Sequence, residues 1–253
     1  MDLQLQGKRA IVTGGTRGIG RAIVEALAAE GTDVAFCART EAAVEATAKS
    51  IGELGVRCFG QALDVADGPR LKEWVAEAAD ALGGLDVAVA NVSALSVGPD
   101  DANWQAEFEV DLMHTVHLVD AALPYLERSD AASIIAISSV SGREIDFAAG
   151  SYGVFKGALV HYTQGLAHQL AAKGIRANAV SPGNVFFEDG FWGYAQKNLP
   201  DLYEQAMALN PTGRMGTPEE TAAAVVFLAS PVASRISGTN LVVDGALTKG
   251  VQL

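Results

Sequence analysis

Short runs of β-branched and aliphatic residues alternate with longer alanine-rich stretches along the whole chain, and that alternation leaves few architectures open. The strand-like runs cover 9–13, 33–38, 56–60, 86–91, 133–138, 176–181 and 240–243. Several are apolar at every position, such as Ile134-Ile135-Ala136-Ile137. A strand wetted on one face would alternate, so these need cover on both faces. Between them Ile19, Ala22, Ile23, Ala26 and Leu27 recur at helical spacing, and similar stripes follow residues 41, 68, 103, 151 and 217. Thr217-Pro218-Glu219-Glu220 reads as a helix start, with Thr as N-cap, Pro at the first helical position and Glu220 closing a capping box. The expected fold class is α/β, a doubly wound parallel sheet of seven strands with helices on both faces. No repeat or linker divides it, so one domain over 1–253 is expected.

Composition narrows the partners. Of the 253 residues 49% are hydrophobic and 19% charged, enough to bury a core and too apolar for a disordered chain. Acidic residues outnumber basic ones 30 to 18, and the resulting charge of −12 repels phosphate backbones and anionic lipid. Neither nucleic acid nor a membrane is an expected partner. The first apolar run stops at Thr13-Gly14, and no window approaches the roughly 18 apolar residues of a membrane helix. A soluble, cytoplasmic protein without a leader is therefore expected. Cys37 and Cys58 stand outside any Cys-x-x-Cys or Cys/His spacing and are expected as buried, reduced thiols, with no metal site.

Thr13-Gly14-Gly15-Thr16-Arg17-Gly18-Ile19-Gly20 joins the first strand to the first helix. A strand-to-helix turn of this kind brings exposed N–H groups and the positive end of the helix dipole to an anion, and a Cβ would obstruct both turn and approach. The spacing Gly-x3-Gly-x-Gly shares the mechanism of the Rossmann dinucleotide fingerprint but not its letters. Sites for NAD place an acid after the second strand and sites for NADP a cation. Here that point reads Ala38-Arg39-Thr40, and Arg17 supplies a second guanidinium inside the turn. NADP(H) is the expected cofactor, with NAD(H) the alternative if both arginines are only solvated surface charges.

Tyr152 and Lys156 are one helical turn apart, and Ser138-Ser139 ends the fifth strand at the carboxyl edge, where doubly wound sheets bind ligands. A neighbouring ammonium stabilises a phenolate and draws its pKa down from about 10 towards the working range. With these pieces the chain resembles the short-chain dehydrogenase/reductase family over nearly its full length, in particular its ketoreductases such as 3-oxoacyl-carrier-protein reductases. The matching segments are Thr13-Gly14-x3-Gly18-x-Gly20, Leu63-Asp64-Val65, Ser139 with Tyr152-x3-Lys156, 177–183 and Val242-Val243-Asp244-Gly245. The resemblance implies adenine contacts from Asp64 and Val65, a place for Asn91 beside the adenosine ribose, and a nicotinamide turn at Pro182, Gly183 and Val185. It also implies Tyr152 as general acid/base, Lys156 on the nicotinamide ribose and Ser139 on the substrate oxygen.

Three positions depart from the family pattern. Its Asn-Asn-Ala-Gly reads Ala90-Asn91-Val92-Ser93, losing one strand-bracing amide and the terminal glycine. The relay asparagine is Asp111, whose charge would steady Lys156 but oppose phenolate at Tyr152, so the pH optimum for oxidation is expected to lie higher than in an Asn enzyme. A threonine usual beyond Gly183 is Phe187.

Phe186, Phe187, Phe191, Trp192, Tyr194 and Tyr203 crowd 184–210, the family's substrate lid. They suit a hydrophobic small carbonyl or alcohol, unless they only pack the lid. His114, His117, His161 and His168 read as helix-face residues. The resemblance implies a homotetramer or homodimer, with the apolar segment 247–253 joining another subunit. The leading expectation is an NADP-dependent carbonyl reductase or alcohol dehydrogenase. The alternatives are an NAD-dependent secondary-alcohol dehydrogenase and a non-catalytic dinucleotide sensor. Arg143, Glu144 and Asp146, near the pocket mouth, have no assigned role.

Overall fold

The structure is a computed structural model that describes residues 1–250, so the last three residues of the apolar segment 247–253 lie outside the described residues. Seven strands form one parallel sheet in the order β3-β2-β1-β4-β5-β6-β7. They are β1 (Arg9–Thr13), β2 (Asp33–Ala38), β3 (Cys58–Ala62), β4 (Val87–Ala90), β5 (Ser133–Ile137), β6 (Arg176–Pro182) and β7 (Asn240–Val243). The doubly wound sheet is the one the alternation implies. Some bounds move: the third strand starts and ends two residues later than the apolar run suggests, the fourth is shorter at both ends, with Asp86 at its foot binding Arg9, and β5 ends one residue earlier and β6 one later.

The helices divide between the faces. On one side α1 (Gly18–Ala29), α2 (Glu41–Gly52) and α9 (Pro218–Ala229) cover Val12, Phe36, Val89 and Ile135. On the other α3 (Gly68–Leu82), α5 (His114–Leu126) and α6 (Ser151–Leu170) cover Ile11, Ala35, Ala88 and Ile134. Neighbouring residues of one strand thus feed opposite cores, which is why the strand runs are uninterruptedly apolar. Each large side chain so buried contributes about 1.5–3 kcal/mol.

Local chemistry sets the helix ends. Asp67 accepts from the Arg70 N–H at the start of α3, and Gly83 closes that helix in the left-handed conformation. Thr217 and Glu220 form the expected capping box. Arg176, at the foot of β6, is buried and donates to the carbonyls of Leu228, Ala229 and Ser230, a cation on the negative end of α9.

One expected helix is not continuous. The stripe after residue 103 becomes α4 (Asp101–Glu107), a π-helical turn (Phe108–Met113) and then α5. A wider turn of this kind shifts the side-chain register and is common at functional sites. Between β6 and α9 lie α7 (Phe191–Asn198) and α8 (Pro200–Leu209). Cys37 is buried and Cys58 only partly so, a correction to the expectation that both are; both are free, and burial pushes their thiols up to about 12 and about 11.

Candidate active site

Every strand of the parallel sheet points its carboxyl end the same way, so the residues singled out above meet along one edge. The turn after β1 crosses into α1 with Gly14 and Gly18 at φ +72° and +51°, where side chains are strained. Gly20 is needed for packing, since a Cβ there would stand 2.2 Å from the Gly14 carbonyl oxygen and 2.4 Å from the Asn91 amide nitrogen. Asn91 donates that amide to the Thr13 carbonyl at 3.0 Å. The asparagine that the motif keeps thus braces β1, and Ala90 supplies no amide of its own. The start of α1 carries no capping side chain and no acid in its first turn, so its free N–H groups and dipole suit a diphosphate. Thr16 and Ile19 flank the turn, and Arg17 and Arg39 are both exposed beside it. Asp64 is exposed and Val65 buried beyond β3. These residues fit a dinucleotide.

At the far side of the edge, Gly183 donates to the Val243 carbonyl, and its α-carbon lies so close to Asp244 that a Cβ would clash at 2.8 Å. Val185 sits in a bridge to Gly216 made by its neighbours, Phe186 donating to Gly216 O and Gly216 to Asn184 O. Its own amide and carbonyl take no part in that bridge. Phe187 does more than lose a hydroxyl. Its ring lies against Gly18 and Gly190, and Arg17 donates to the Asp189 carbonyl at 3.2 Å, so this segment closes onto the glycine turn.

Between these two halves stands the side-chain cluster. Ser139 follows β5, and Tyr152 and Lys156 face it from the first turns of α6. Glycines make that approach possible: Cβ atoms on Gly142 or Gly153 would meet opposing backbone at 2.7 or 2.8 Å. Ser138 donates to the Lys156 carbonyl at 2.8 Å, tying strand to helix. The Lys156 ammonium is 2% exposed; it donates to the Ile137 carbonyl at 3.0 Å, lies 2.8 Å from Asp111 Oδ1 and 5.5 Å from the centre of the Tyr152 ring. Asp111, on the π turn, also accepts from the Ala94 N–H at 2.9 Å. Ser139 stands near enough to Tyr152 to draw its phenol pKa down. Ser139 in turn meets Ser141, whose hydroxyl donates to Asp146 at 2.6 Å, which gives Asp146 a role that its sequence position alone did not supply.

Electrostatics follow from this packing. Burial opposes the Lys156 ammonium, but Asp111 and Tyr152 outweigh it and hold the pKa above its ordinary value. Burial likewise opposes the Asp111 carboxylate, and Lys156 overrides it, so Asp111 stays ionised. The Tyr152 phenol is raised rather than lowered: burial dominates, Lys156 and Ser139 pull down, and Asp111 and Glu107 push up. Lys156 draws the phenol down as expected, but burial outweighs it and the net shift is upward.

Two groups here escaped the sequence reading. Glu107 is fully buried one turn before Asp111. His114 is no mere face residue: it is fully buried, with Nδ1 2.9 Å from the Val110 carbonyl and Nε2 2.9 Å from Thr13 Oγ1. Burial lowers its pKa to about 4, so the ring is neutral and braces the glycine turn against the π turn. A pair of acids at i, i+4 in an apolar stretch was the available signal for Glu107. His161 and His168 are exposed, as read.

The family profile described as Enoyl-(Acyl carrier protein) reductase matches residues 14–248. Isoepoxydon dehydrogenase of Penicillium expansum is 42% identical over 252 residues, covering 98% of this chain and 97% of that one. Among solved structures, a short chain dehydrogenase from Burkholderia cenocepacia in complex with NADP is 32% identical, with TM-score 0.86 and coverage of 96% of this chain and 99% of that one. A 7 alpha-hydroxysteroid dehydrogenase complexed with NADH and 7-oxo glycochenodeoxycholic acid superposes with TM-score 0.90 at 28% identity, covering 99% of this chain and 98% of that one. With the parallel sheet, the uncapped glycine turn and the Ser139, Tyr152 and Lys156 cluster in agreement with these likenesses, the chain belongs to the short-chain dehydrogenase/reductase family of oxidoreductases.

Proposed function

We propose that the protein is an NADP(H)-dependent ketoreductase-type enzyme, interconverting the carbonyl and alcohol of a hydrophobic small molecule with Tyr152 as general acid/base. The observation that carries this reading is the convergence of Ser139, Tyr152 and the buried Lys156–Asp111 pair beside the uncapped start of α1. Nicotinamide, when bound, supplies or accepts the hydride. The chain does the rest. Ser139 turns its hydroxyl from Ser141 to the substrate oxygen, and Asp146 holds Ser141 in place for its return. Tyr152, with its pKa raised by burial, is a phenol at neutral pH and donates its proton to the oxygen that gains charge during reduction. Lys156 steadies the resulting phenolate, and Asp111 keeps the ammonium charged and oriented.

The segment 184–210 serves as the lid. Its aromatics divide between two uses: Phe186, Trp192 and Tyr203 pack the lid helices together, whereas Phe191 and Tyr194 are exposed. With the exposed Leu95, Val97 and Phe147 these two rings give the cleft mouth an apolar rim, suited to a hydrophobic substrate. Trp104, Phe108 and Val154 expose a second apolar face on α4, the π turn and α6, which we read as the seat of another copy in a homodimer or homotetramer.

Arg39 is the support for NADP(H) over NAD(H), since no acid stands at the end of β2 to bind a ribose hydroxyl. Titration should show tighter binding of NADPH than NADH, and Arg39→Ala should weaken NADPH about 10- to 100-fold with NADH almost unchanged. Tighter NADH binding, or an indifferent Arg39→Ala, would overturn the NADP(H) assignment. Turnover across thioester, quinone, steroid and aryl ketones then identifies the substrate class.

A further inference from the structure

The cluster holds a carboxylate oxygen with no donor. Glu107 Oε2 is buried and accepts from no N–H or hydroxyl among the described residues, whereas Asp111 Oδ1 faces the Lys156 ammonium at 2.8 Å. Each carboxyl group has its other oxygen occupied, Glu107 Oε1 by the Ser96 N–H and Asp111 Oδ2 by the Ala94 N–H. The two side chains are four residues apart, across the junction of α4 with the π turn, and their carboxyl groups meet. One proton placed between the two carboxyl groups satisfies Glu107 Oε2, and it leaves a single negative charge opposite the single ammonium of Lys156.

We propose that Glu107 is held as the carboxylic acid, hydrogen-bonded to Asp111, and that its ionisation is the positioning switch that keeps Tyr152 protonated at alkaline pH. The titratable groups that face Glu107 are Asp111 from the π turn and Lys156 and Tyr152 from α6, with the neutral His114 beyond Asp111 on α5. Burial first, and then the Asp111 carboxylate, raise the Glu107 pKa to about 8. Loss of its proton to solvent adds a second negative charge to the cluster, and that charge opposes phenolate formation at Tyr152. Reduction, which needs the phenol, then persists to higher pH, while oxidation, which needs the phenolate, is deferred. The inference rests on the reading of Tyr152 as the acid/base.

Glu107→Gln is the test, because its amide can donate to Asp111 and accept from Ser96 in the same place. The midpoint of the pH–rate profile for oxidation should fall by about half to one unit, and the alkaline limit of reduction should fall with it. A pH-independent loss of rate would instead mark a structural role and overturn the switch. In wild-type protein, the carbon-13 resonance of the Glu107 carboxyl should titrate near pH 8. Titration in the ordinary carboxylate range would overturn the proposal, whatever the variant's fold. If Tyr152 is not the acid/base, that resonance still titrates high while Glu107→Gln leaves both rate profiles in place, so the two failures are distinguishable.

Discussion

Two ion pairs with deeply buried carboxylates stand at opposite ends of this sheet, one at the foot of its strands and one at their carboxyl edge. At the foot, Arg9 meets Asp86 through its Nε at 2.8 Å and its Nη2 at 2.9 Å, the Arg9 N–H adds a third bond, and Ser129 donates a fourth at 2.6 Å. At the carboxyl edge, Lys156 meets Asp111 at 2.8 Å, yet Glu107 Oε2 beside it remains without a donor. A satisfied pair holds strands together; an under-supplied one is a place where a proton can be gained or lost. The difference also reverses the effect of pH. Asp86 is driven down by Arg9 and Ser129 against the cost of burial, so its contribution is complete above the ordinary carboxylate range and is lost as pH falls through its folded pKa. Glu107 is raised to about 8, so the stability it confers is complete below the ordinary range and is lost as pH rises through about 8. Acid weakens the foot of the sheet, and alkali weakens its carboxyl edge.

Substitutions at the two edges should therefore fail differently. Asp86→Ala strands Arg9 and Ser129 and should cost about 2–4 kcal/mol in urea unfolding, while turnover per folded molecule stays at the wild-type value. A loss of turnover without a loss of stability would collapse the distinction between the edges. Asp111→Asn should act in the smaller and opposite sense. It leaves the shape intact and removes a charge that opposes phenolate, so the oxidation profile should move down by about one pH unit, equivalent to about 1.4 kcal/mol. An unmoved profile would mean that Asp111 does not tune Tyr152.

Much of this was legible in the chain. Apolar runs such as Ile134 to Ile137 specified the parallel sheet because burial on both faces leaves no room for polar alternation, and Thr217-Pro218-Glu219-Glu220 placed the start of α9 because capping is local. The cluster of Ser139, Tyr152 and Lys156 and the place of the glycine turn were legible because Tyr152 and Lys156 are one helical turn apart and the glycines join β1 to α1. What was hidden depends on tertiary position. The π turn changes which residues face inward, so Glu107 read as another acid on a helix rather than as the partner of Asp111. Burial decides the direction of the Tyr152 shift, and a spacing argument that counts only Lys156 has the wrong sign. Phe187 read as a missing hydroxyl, whereas its ring rests on Gly18, three strands away across the sheet edge.

The central claim is that the carboxyl edge performs acid/base chemistry at Tyr152, and its most direct test is the rate of NADPH-dependent ketone reduction by Tyr152→Phe beside wild type. The account predicts a fall of about 10²- to 10⁴-fold with NADPH binding and unfolding free energy preserved, since only a proton donor has been removed. A variant that reduces the ketone at the wild-type rate would contradict it.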